Sequence, residues 1–271
     1  MKVQVFADFY EIRDAVIDID CDKNIELVYE YEFVHFQKPI PEDTIRFFAT
    51  IEPDGRFIDF INHNQGCFDY LLTAEPVLLH LEKAIFMPGY PAWVPANDST
   101  DKQFGVSAVF TGRNTFPGHP LRHELWKRRE EIEIPRFFYV GTRQPISGVD
   151  LDTELTLSPD HHSKKVAMEC MFHIAIDCFE KDNLFTEKLI DPLISMVMPI
   201  YWGAHNYHEF FNQKGIIKVS CVDDIIKVCN GLTLDMYYNH LGTIRQNYSL
   251  ALNYANYPEC VRQAINRALQ I

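Results

Sequence analysis

Long apolar runs are missing from this sequence. No window of the 271 residues approaches the roughly 18 uninterrupted apolar residues of a membrane-spanning helix, which predicts no integral membrane segment. The opening MKVQVFADFY alternates like a strand and carries no apolar core of a signal peptide, so a soluble protein is expected. The seven cysteines are scattered without a C-x-x-C pair, which argues against a disulfide scaffold and favours reduced thiols in a cytoplasm.

Positive charge is also scarce. Lysine and arginine number 25 against 38 aspartates and glutamates, so the net charge is −13, and no basic run occurs. This balance argues against a nucleic-acid partner and against an anionic membrane surface. A phosphate-bearing ligand would have to meet individually placed cations instead. No Ser-His-Asp arrangement is evident, and the loop-like VGTRQPISG at 140–148 lacks the spacing of a phosphate-binding Walker loop.

The remaining composition is that of a globular α/β protein. With 47% hydrophobic and 23% charged residues, the chain can bury one large core or two moderate ones. The stretch 88–100 is rich in proline and polar residues, which predicts a domain junction there. On both sides, strand-like apolar runs alternate with helical patterns. Strands are predicted at 3–6, 25–33, 45–51, 106–110 and 137–140, and helices at 76–82, 120–132 and 258–268.

One segment of the second half carries the clearest functional pattern. Two apolar strands, at 172–176 and 197–202, enclose a crossover with a helix start. Thr186 is a good N-cap for that helix, which places Glu187 and Lys188 in its first turn. A lysine is unfavourable at the positive end of a helix dipole, so its presence is easier to explain if it meets a phosphate. The order strand, helix, strand indicates a parallel sheet, in which ligands lie beyond the carboxyl ends of the strands.

Three motifs in this segment resemble those of the α1,3/4-fucosyltransferase family, glycosyltransferase family 10. The chain reads DCF at 177–179, LFTEK at 184–188 and PIYWG at 199–203. The family carries an acidic-Asn-Ser triplet, then Tyr-Val-Thr-Glu-Lys, then Pro-Val/Ile-Tyr-Trp/Tyr-Gly. The continuation GAHNYHEF at 203–210 is similar to the family's Gly-Ala-Pro-Asn-x-x-x-Phe. The resemblance extends over about 106–217.

The resemblance implies a GT-B fold, which consists of two α/β Rossmann-like domains facing a cleft. Residues 1–98 would form the acceptor-side domain, and 99–271 the domain that binds the nucleotide-sugar donor. The implied reaction is an inverting, metal-independent transfer of fucose from GDP-fucose to a glycan hydroxyl, α1,3-fucosyltransferase-like, with no cofactor required. Golgi members of the family carry an N-terminal membrane anchor, so we expect a cytoplasmic bacterial or viral form, or a form without its anchor.

Three basic residues are candidate ligands of the donor diphosphate. Lys188 lies in a first turn, and Arg122 begins a helix that follows a strand and a loop, so both are expected at one cleft. The resemblance points the same way, because the family uses an arginine after a comparable segment. Arg113, in the preceding loop, is a further candidate. The structural alternatives are a solvated Arg122 on a basic helix and a surface pair between Lys188 and Asp191.

Acidic residues are candidates for the chemistry. Glu187 can hold ribose or sugar hydroxyls and stabilise positive charge on the anomeric carbon, or it can simply favour the helix N-terminus. Asp177, at a strand end, can bond ribose or orient the loop, and Thr186 is counted with the donor-binding residues. An inverting transfer also needs a base for the acceptor hydroxyl. Glu52, in a segment that resembles the family's base-carrying segment, is predicted to be that base, with Glu75 as a competitor.

The departures from the family fall on the predicted donor pocket. Cys178, Phe179 and Leu184 stand where the family carries hydrogen-bonding side chains, and such losses can change specificity by orders of magnitude. Two alternatives to fucose transfer therefore stay open. One is the same scaffold with another nucleotide sugar, and the other is a catalytically silent module that binds a glycan or a nucleotide.

Metal binding is a further alternative. The strings DID at 18–20 and DLD at 150–152 are of the kind that hold Mg²⁺ or Mn²⁺ beside a nucleotide sugar. Two histidine pairs, His119 with His123 and His205 with His208, have helix-compatible spacing but no evident third ligand. Short acidic strings are frequent in a chain with 38 acids, so no metal site is predicted.

Overall fold

The computed structural model describes residues 3–7, 16–30, 32, 35, 38–51, 55–88 and 92–271. The chain divides into two compact units. The first unit comprises Met1–Tyr90, Asp182–Leu184 and Asn256–Ile271, and the second comprises Pro91–Lys181 and Phe185–Ala255. Each unit contains a parallel sheet with helices, which confirms the predicted α/β fold class with two Rossmann-like sheets.

The sheet of the first unit has its described strands in sequence order. All neighbours are parallel, and the order is β1-β2-β3-β4-β5. Helix α1, Ile58–His63, connects the third strand to the fourth. The strands are β1 (Gln4–Phe6), β2 (Asn24–Tyr29), β3 (Thr44–Ala49), β4 (Tyr70–Thr73) and β5 (Ala84–Phe86).

The prediction of a helix at 76–82 is wrong. This stretch forms successive tight turns, in which the backbone N–H of Leu78 donates to the carbonyl of Glu75 and that of Leu81 to the carbonyl of Leu78. Leu78 is 1% exposed and anchors the turns in the core beneath β3 and β4. Since β5 begins at Ala84, the connection is too short for a helix of several turns.

The sheet of the second unit has the strand order of a doubly wound fold. All six strands are parallel, in the order β11-β10-β9-β6-β7-β8. The chain first builds outward from β6 to β8, then returns to place β9 on the other side of β6. Sheet order therefore reverses between β6 and β9. The strands are β6 (Gln103–Phe110), β7 (Arg136–Gly141), β8 (Leu155–Leu157), β9 (Cys170–Ile176), β10 (Met198–Trp202) and β11 (Ile217–Lys218).

Helices cover both faces of this second sheet. Every residue of β9 is buried, as expected for a central parallel strand covered on both sides. Ile174 packs in the same cluster as Leu125 and Ile225, whereas Ala175 packs in the opposite cluster with Leu189 and Ala251. The helices are α2 (Gly118–Lys127), α3 (Glu187–Leu193), α4 (Val222–Asn230), α5 (Leu234–Asn239) and α6 (Leu241–Ala255).

The predicted C-terminal helix is present as α7, Tyr257–Leu269. Val261, Ala264 and Ile265 are fully buried and join the core of the first unit. The hydroxyl of Tyr257 lies 2.7 Å from that of Tyr29 at the end of β2. The last helix of the chain is therefore part of the first unit. None of the helices in the described ranges is long and apolar enough to cross a membrane.

Candidate functional site

A pocket of about 220 Å³ lies in the second unit where β6 and β9 end. This is the point at which the order of the sheet reverses. In open parallel sheets, ligands bind at such points, beyond the carboxyl ends of the strands, because the connections leave the two strands in opposite directions. The wall combines strand ends with polar side chains from the surrounding segments, including Phe110, Thr111, Ile176, Arg122, Glu187 and Lys188.

Arg122 is carried to the pocket by helix α2, which makes a very close approach to the end of β9. Gly118, in the first turn, donates its N–H to the carbonyl of Cys178 at 2.9 Å. A Cβ at Gly118 would lie 1.9 Å from the carbonyl oxygen of Asp177, so only glycine permits this contact. Nε and Nη2 of Arg122 donate to the carbonyl of Ile176 at 3.1 and 2.5 Å. The guanidinium, in a side chain only 8% exposed, is thereby fixed at the pocket wall rather than solvated on the helix.

Glu187 and Lys188 enter the pocket from the first turn of α3. Thr186 caps the helix, since its Oγ1 accepts the N–H of Lys188 at 3.3 Å, as the sequence predicted. Lys188 Nζ donates to Glu187 Oε1 at 2.7 Å. Burial opposes the charge of Glu187, but the charges of Lys188 and Lys164 and nearby hydrogen bonds outweigh it and lower its pKa to about 2. The pocket therefore holds an ionised carboxylate. Burial lowers the pKa of Lys188, but the charge of Glu187 outweighs burial, so the pKa of the lysine is raised.

The alternative surface pair between Lys188 and Asp191 is not formed. Asp191 is fully buried and pairs with Lys164, whose Nζ donates to Oδ2 at 2.8 Å. Its other oxygen accepts the backbone N–H of Trp93 at 2.8 Å. The ring of Trp93 then lies 5.4 Å from Lys164 Nζ and 5.9 Å from Lys188 Nζ. Lys164 and Trp93 line the pocket and were missed by the sequence analysis.

Asp177 and Thr186 lie behind the pocket wall. Thr186 Oγ1 donates to Asp177 Oδ1, and the hydroxyl of Tyr201 donates to Oδ2 at 2.7 Å. The pKa of Asp177 is raised, because burial outweighs the opposing effects of the Lys188 charge and the two hydrogen bonds. Neither Asp177 nor Thr186 is among the residues lining the pocket. Their contacts tie the end of β9 to the start of α3 and so hold Lys188 in position.

Arg113 lies at the outer edge of the pocket. It is exposed, and its Nε donates to Gln144 Oε1 at 2.6 Å. The loop that carries it is tied down where the N–H of Gly112 donates to the carbonyl of Gln144 at 2.7 Å. With Arg122, Lys164 and Lys188, it gives the pocket a positive charge density that the net charge of −13 does not suggest.

The two histidines of α2, which have the spacing of a metal-ligand pair, make other contacts in the structure. His119 Nδ1 accepts the N–H groups of Thr115 and Phe116, each at 3.0 Å, while His123 Nε2 lies 3.1 Å from the carbonyl of Thr111. The pKa of His119 is lowered to about 4 by burial and by the charges of nearby cations, the largest being that of Arg122. No cluster of three metal-ligating side chains occurs within the described ranges.

A second buried histidine, His173, lies in the floor of the pocket. Its Nδ1 is 2.8 Å from Ser107 Oγ, and burial together with the charge of Lys164 lowers its pKa to about 3. The ring stays neutral in the folded protein but takes up a proton in the unfolded chain below about pH 6.5. Stability is therefore full above about pH 6.5 and falls as the pH decreases toward 3.

Because His173 stays neutral in the folded protein, we expect the free energy of unfolding to fall by about 2 kcal/mol as the pH decreases from 6.5 to 5. Urea denaturation at several pH values measures this dependence. The variant His173→Asn keeps a polar group beside Ser107 but does not titrate, so its stability should change less over the same range. Equal pH dependence in the two proteins would contradict the assignment of a neutral buried imidazole.

Glu52, the predicted base, lies outside the described residues. Its neighbour Ile51 is described, and its N–H donates to Glu30 Oε2 at 3.0 Å after the end of β3. Glu75, the competitor, follows β4, and its N–H donates to Thr73 Oγ1 at 3.0 Å. Glu30 and Glu75 thus follow β2 and β4 of the first unit. The role of Glu52 as the base stays a prediction.

Comparison with known proteins gives a sequence match over part of the chain. The model of the family described as glycosyltransferase family 10 (fucosyltransferase), C-terminal, matches residues 145–252. This range contains α3 with Glu187 and Lys188, whereas Arg122 lies before it. A search of the curated protein sequences found no match.

Solved structures are similar over most of the chain. An α1,3-fucosyltransferase with GDP-fucose is 15% identical, with a TM-score of 0.51 over 85% of this chain and 78% of that one. The same kind of enzyme with GDP is 16% identical, with a TM-score of 0.52 over 90% and 78%. A pneumococcal O-GlcNAc transferase, GtfA, in complex with UDP and GlcNAc is 12% identical, with a TM-score of 0.53 over 91% and 57%.

At such identities, these structures support the fold, while the family match supports glycosyltransfer. Together they confirm the resemblance predicted from the sequence motifs. Residues 145–252 thus match the C-terminal model of glycosyltransferase family 10 (fucosyltransferase), and the fold over most of the chain is similar to that of solved α1,3-fucosyltransferases.

Proposed function

We propose that this protein is an inverting glycosyltransferase that moves fucose from GDP-fucose to a glycan hydroxyl, in the manner of an α1,3-fucosyltransferase. The observation that carries the proposal is the convergence of Arg122 and Lys188 on one pocket at the reversal point of the second sheet. Two cations held by backbone and carboxylate contacts suit a diphosphate, and the position suits a nucleotide. The second unit would be the donor-binding domain and the first the acceptor-side domain.

The cations of the pocket would act on the leaving group. When the bond between the sugar and the diphosphate breaks, negative charge develops on the phosphate oxygens. Arg122 and Lys188 are already oriented, by Ile176 and Glu187, so they can stabilise that charge without rearrangement. Arg113 would contribute from the outer edge. In this mechanism side-chain cations neutralise the leaving group, and no metal or other cofactor is required.

The acidic residues would have separate roles. Glu187 is ionised and lines the pocket, so it can accept hydrogen bonds from ribose or sugar hydroxyls and stabilise positive charge on the anomeric carbon. Asp177 and Thr186 would support the donor site by holding the start of α3. Glu52 is the proposed base that takes the proton from the acceptor hydroxyl as it attacks.

A different nucleotide sugar is the second candidate donor. Cys178 lines the pocket in a position where the family carries a hydrogen-bonding side chain, and a thiol is a weaker partner. A catalytically silent module that binds a nucleotide or a glycan is the third reading. The retained charges of Arg122, Glu187 and Lys188 favour activity, because a silent module would not need an ionised carboxylate beside the cations.

The cellular setting is also part of the proposal. We place the protein in the cytoplasm, where its seven cysteines, all free in the described residues, would stay reduced. The partners would be a nucleotide sugar and a glycan acceptor, with no nucleic acid.

A transfer assay over a panel of donors tests the proposed function. The protein is incubated with GDP-fucose, UDP-, CMP- and dTDP-sugars and glycans bearing N-acetylglucosamine or glucose. Products are identified by mass spectrometry, and the anomeric configuration of the new bond by NMR. Transfer from GDP-fucose with inversion supports the proposal. Transfer from another donor keeps the scaffold and replaces the sugar. Binding of a nucleoside diphosphate without turnover over the whole panel would favour the silent module.

A further inference from the structure

The imidazole of His119 is held in one tautomer in the pocket wall. The side chain is buried, with the residue 2% exposed. Nδ1 accepts two backbone N–H groups, from Thr115 and Phe116, each at 3.0 Å, and lies 3.5 Å from Thr115 Oγ1. A ring nitrogen that accepts hydrogen bonds cannot also carry the proton of a neutral imidazole, so the proton resides on Nε2.

Among the residues that the structure describes, the partner of the Nε2 N–H is the sulfur of Cys178, a weak acceptor. Nε2 lies 4.0 Å from Sγ of Cys178, and Nη2 of Arg122 lies 3.9 Å from the same sulfur. Sulfur accepts hydrogen bonds poorly, and a buried donor without a good acceptor is costly. All three side chains line the pocket. The corner around Cys178 therefore presents the Nε2–H of His119 with a sulfur as its partner, beside Arg122 Nη2, which also donates to the carbonyl of Ile176.

The charges around this corner of the pocket favour a ligand oxygen that carries negative charge. The charges of Arg122, Lys188 and Arg113 act on the ring and make the local potential positive. His123, on the same helix, also disfavours a proton on His119. The same field that keeps the ring neutral attracts an anion. A neutral imidazole can then donate without adding charge.

We propose that His119 is a further donor-recognition residue, whose Nε2–H donates a hydrogen bond to a phosphate oxygen of the nucleotide sugar beside Arg122 and Lys188. The inference rests on the proposed function of this pocket. In this assignment, the hydrogen-bond donor at this corner of the pocket is the Nε2–H of His119, because Cys178 carries no N–H group.

Two variants separate the nitrogens of the ring. His119→Asn places an amide oxygen near the position of Nδ1, so it keeps the acceptor for Thr115 and Phe116 and removes the Nε2 donor. His119→Gln reaches the position of Nε2 with an N–H and gives up the acceptor. We expect His119→Asn to unfold near the wild-type temperature and to bind GDP about tenfold more weakly, as loss of a hydrogen bond to a charged group predicts. His119→Gln should retain more of the affinity.

Titration calorimetry with GDP measures these affinities, with UDP used if the wild type binds UDP instead. Wild-type affinity in a folded His119→Asn would overturn the inference. If that variant is unstable, a tenfold loss in a folded His119→Gln would overturn it equally. The ¹⁵N resonance of Nε2 gives a second readout, because GDP should shift it and a purely structural ring should not respond. A wild type that binds no nucleoside diphosphate would instead refute the proposed function.

Discussion

Replacement of Lys188 by alanine is expected to reduce sugar transfer at least a hundredfold, about 2.7 kcal/mol of transition-state stabilisation. The ammonium group lies in the pocket and is held by Glu187 at 2.7 Å, so it is oriented before any ligand arrives. Binding of the nucleoside diphosphate should weaken as well, because the leaving group carries charge in both ground and transition states. Initial rates of transfer and calorimetric affinities measure the two effects.

The variant has a side effect on stability that needs its own control. Without Lys188, the carboxylate of Glu187, 1% exposed, loses its nearest positive partner. Removal of one member of a buried pair is strongly destabilising, since the other charge is left uncompensated. The double variant Glu187→Gln/Lys188→Ala removes both charges and should recover much of the stability without recovering transfer. Near wild-type transfer in a folded Lys188→Ala would refute the role given to Lys188.

Gly118→Ala is expected to lower the free energy of unfolding by about 3 kcal/mol, the upper part of the range for overpacked sites. The added Cβ would lie 1.9 Å from the carbonyl oxygen of Asp177 and 3.1 Å from Cζ3 of Trp202. The first contact is with backbone, which cannot rotate away. Helix α2 must then shift, and Arg122 should lose its contacts with Ile176.

Gly242→Ala is the matched control for this glycine. It lies in the first turn of α6, and a Cβ there would meet nothing within 4 Å. Alanine is the better helix former, so this variant should be as stable as the wild type or slightly more stable. Urea denaturation of both variants measures the difference. A Gly118→Ala protein as stable as the Gly242→Ala protein would show that α2 does not dock so closely.

The parts of the site that could be predicted are those encoded by neighbouring residues. Thr186 accepts a hydrogen bond from the backbone two residues later, so the helix start was evident from local sequence. The strand and loop before α2 placed Arg122 near the end of a parallel strand in the same way. Since the motifs span the segment that carries Lys188, the family resemblance was also recognisable there.

The parts that could not be predicted depend on contacts distant in the chain. Lys164 reaches the pocket wall because it pairs with Asp191, 27 residues later, and no local pattern marks either residue. Trp93 is held by the same carboxylate from 98 positions away. The spacing of His119 and His123 is compatible with a metal-ligand pair, but it does not reveal that two backbone N–H groups donate to Nδ1 of His119. The turns at 76–82 show the same limit, since one buried leucine is compatible with a helix or a turn.

The most direct test of the central claim uses the thiol of Cys178, which lies at the pocket corner between Arg122 and His119. The protein is alkylated with iodoacetamide with and without saturating GDP or GDP-fucose, and the labelling rate of each cysteine is followed by peptide mass spectrometry. Cys221, exposed at the start of α4, is the internal control. If the diphosphate binds in this pocket, it should protect Cys178 and leave Cys221 unchanged. Equal labelling of Cys178 with and without a nucleotide that demonstrably binds would contradict the placement of the donor site.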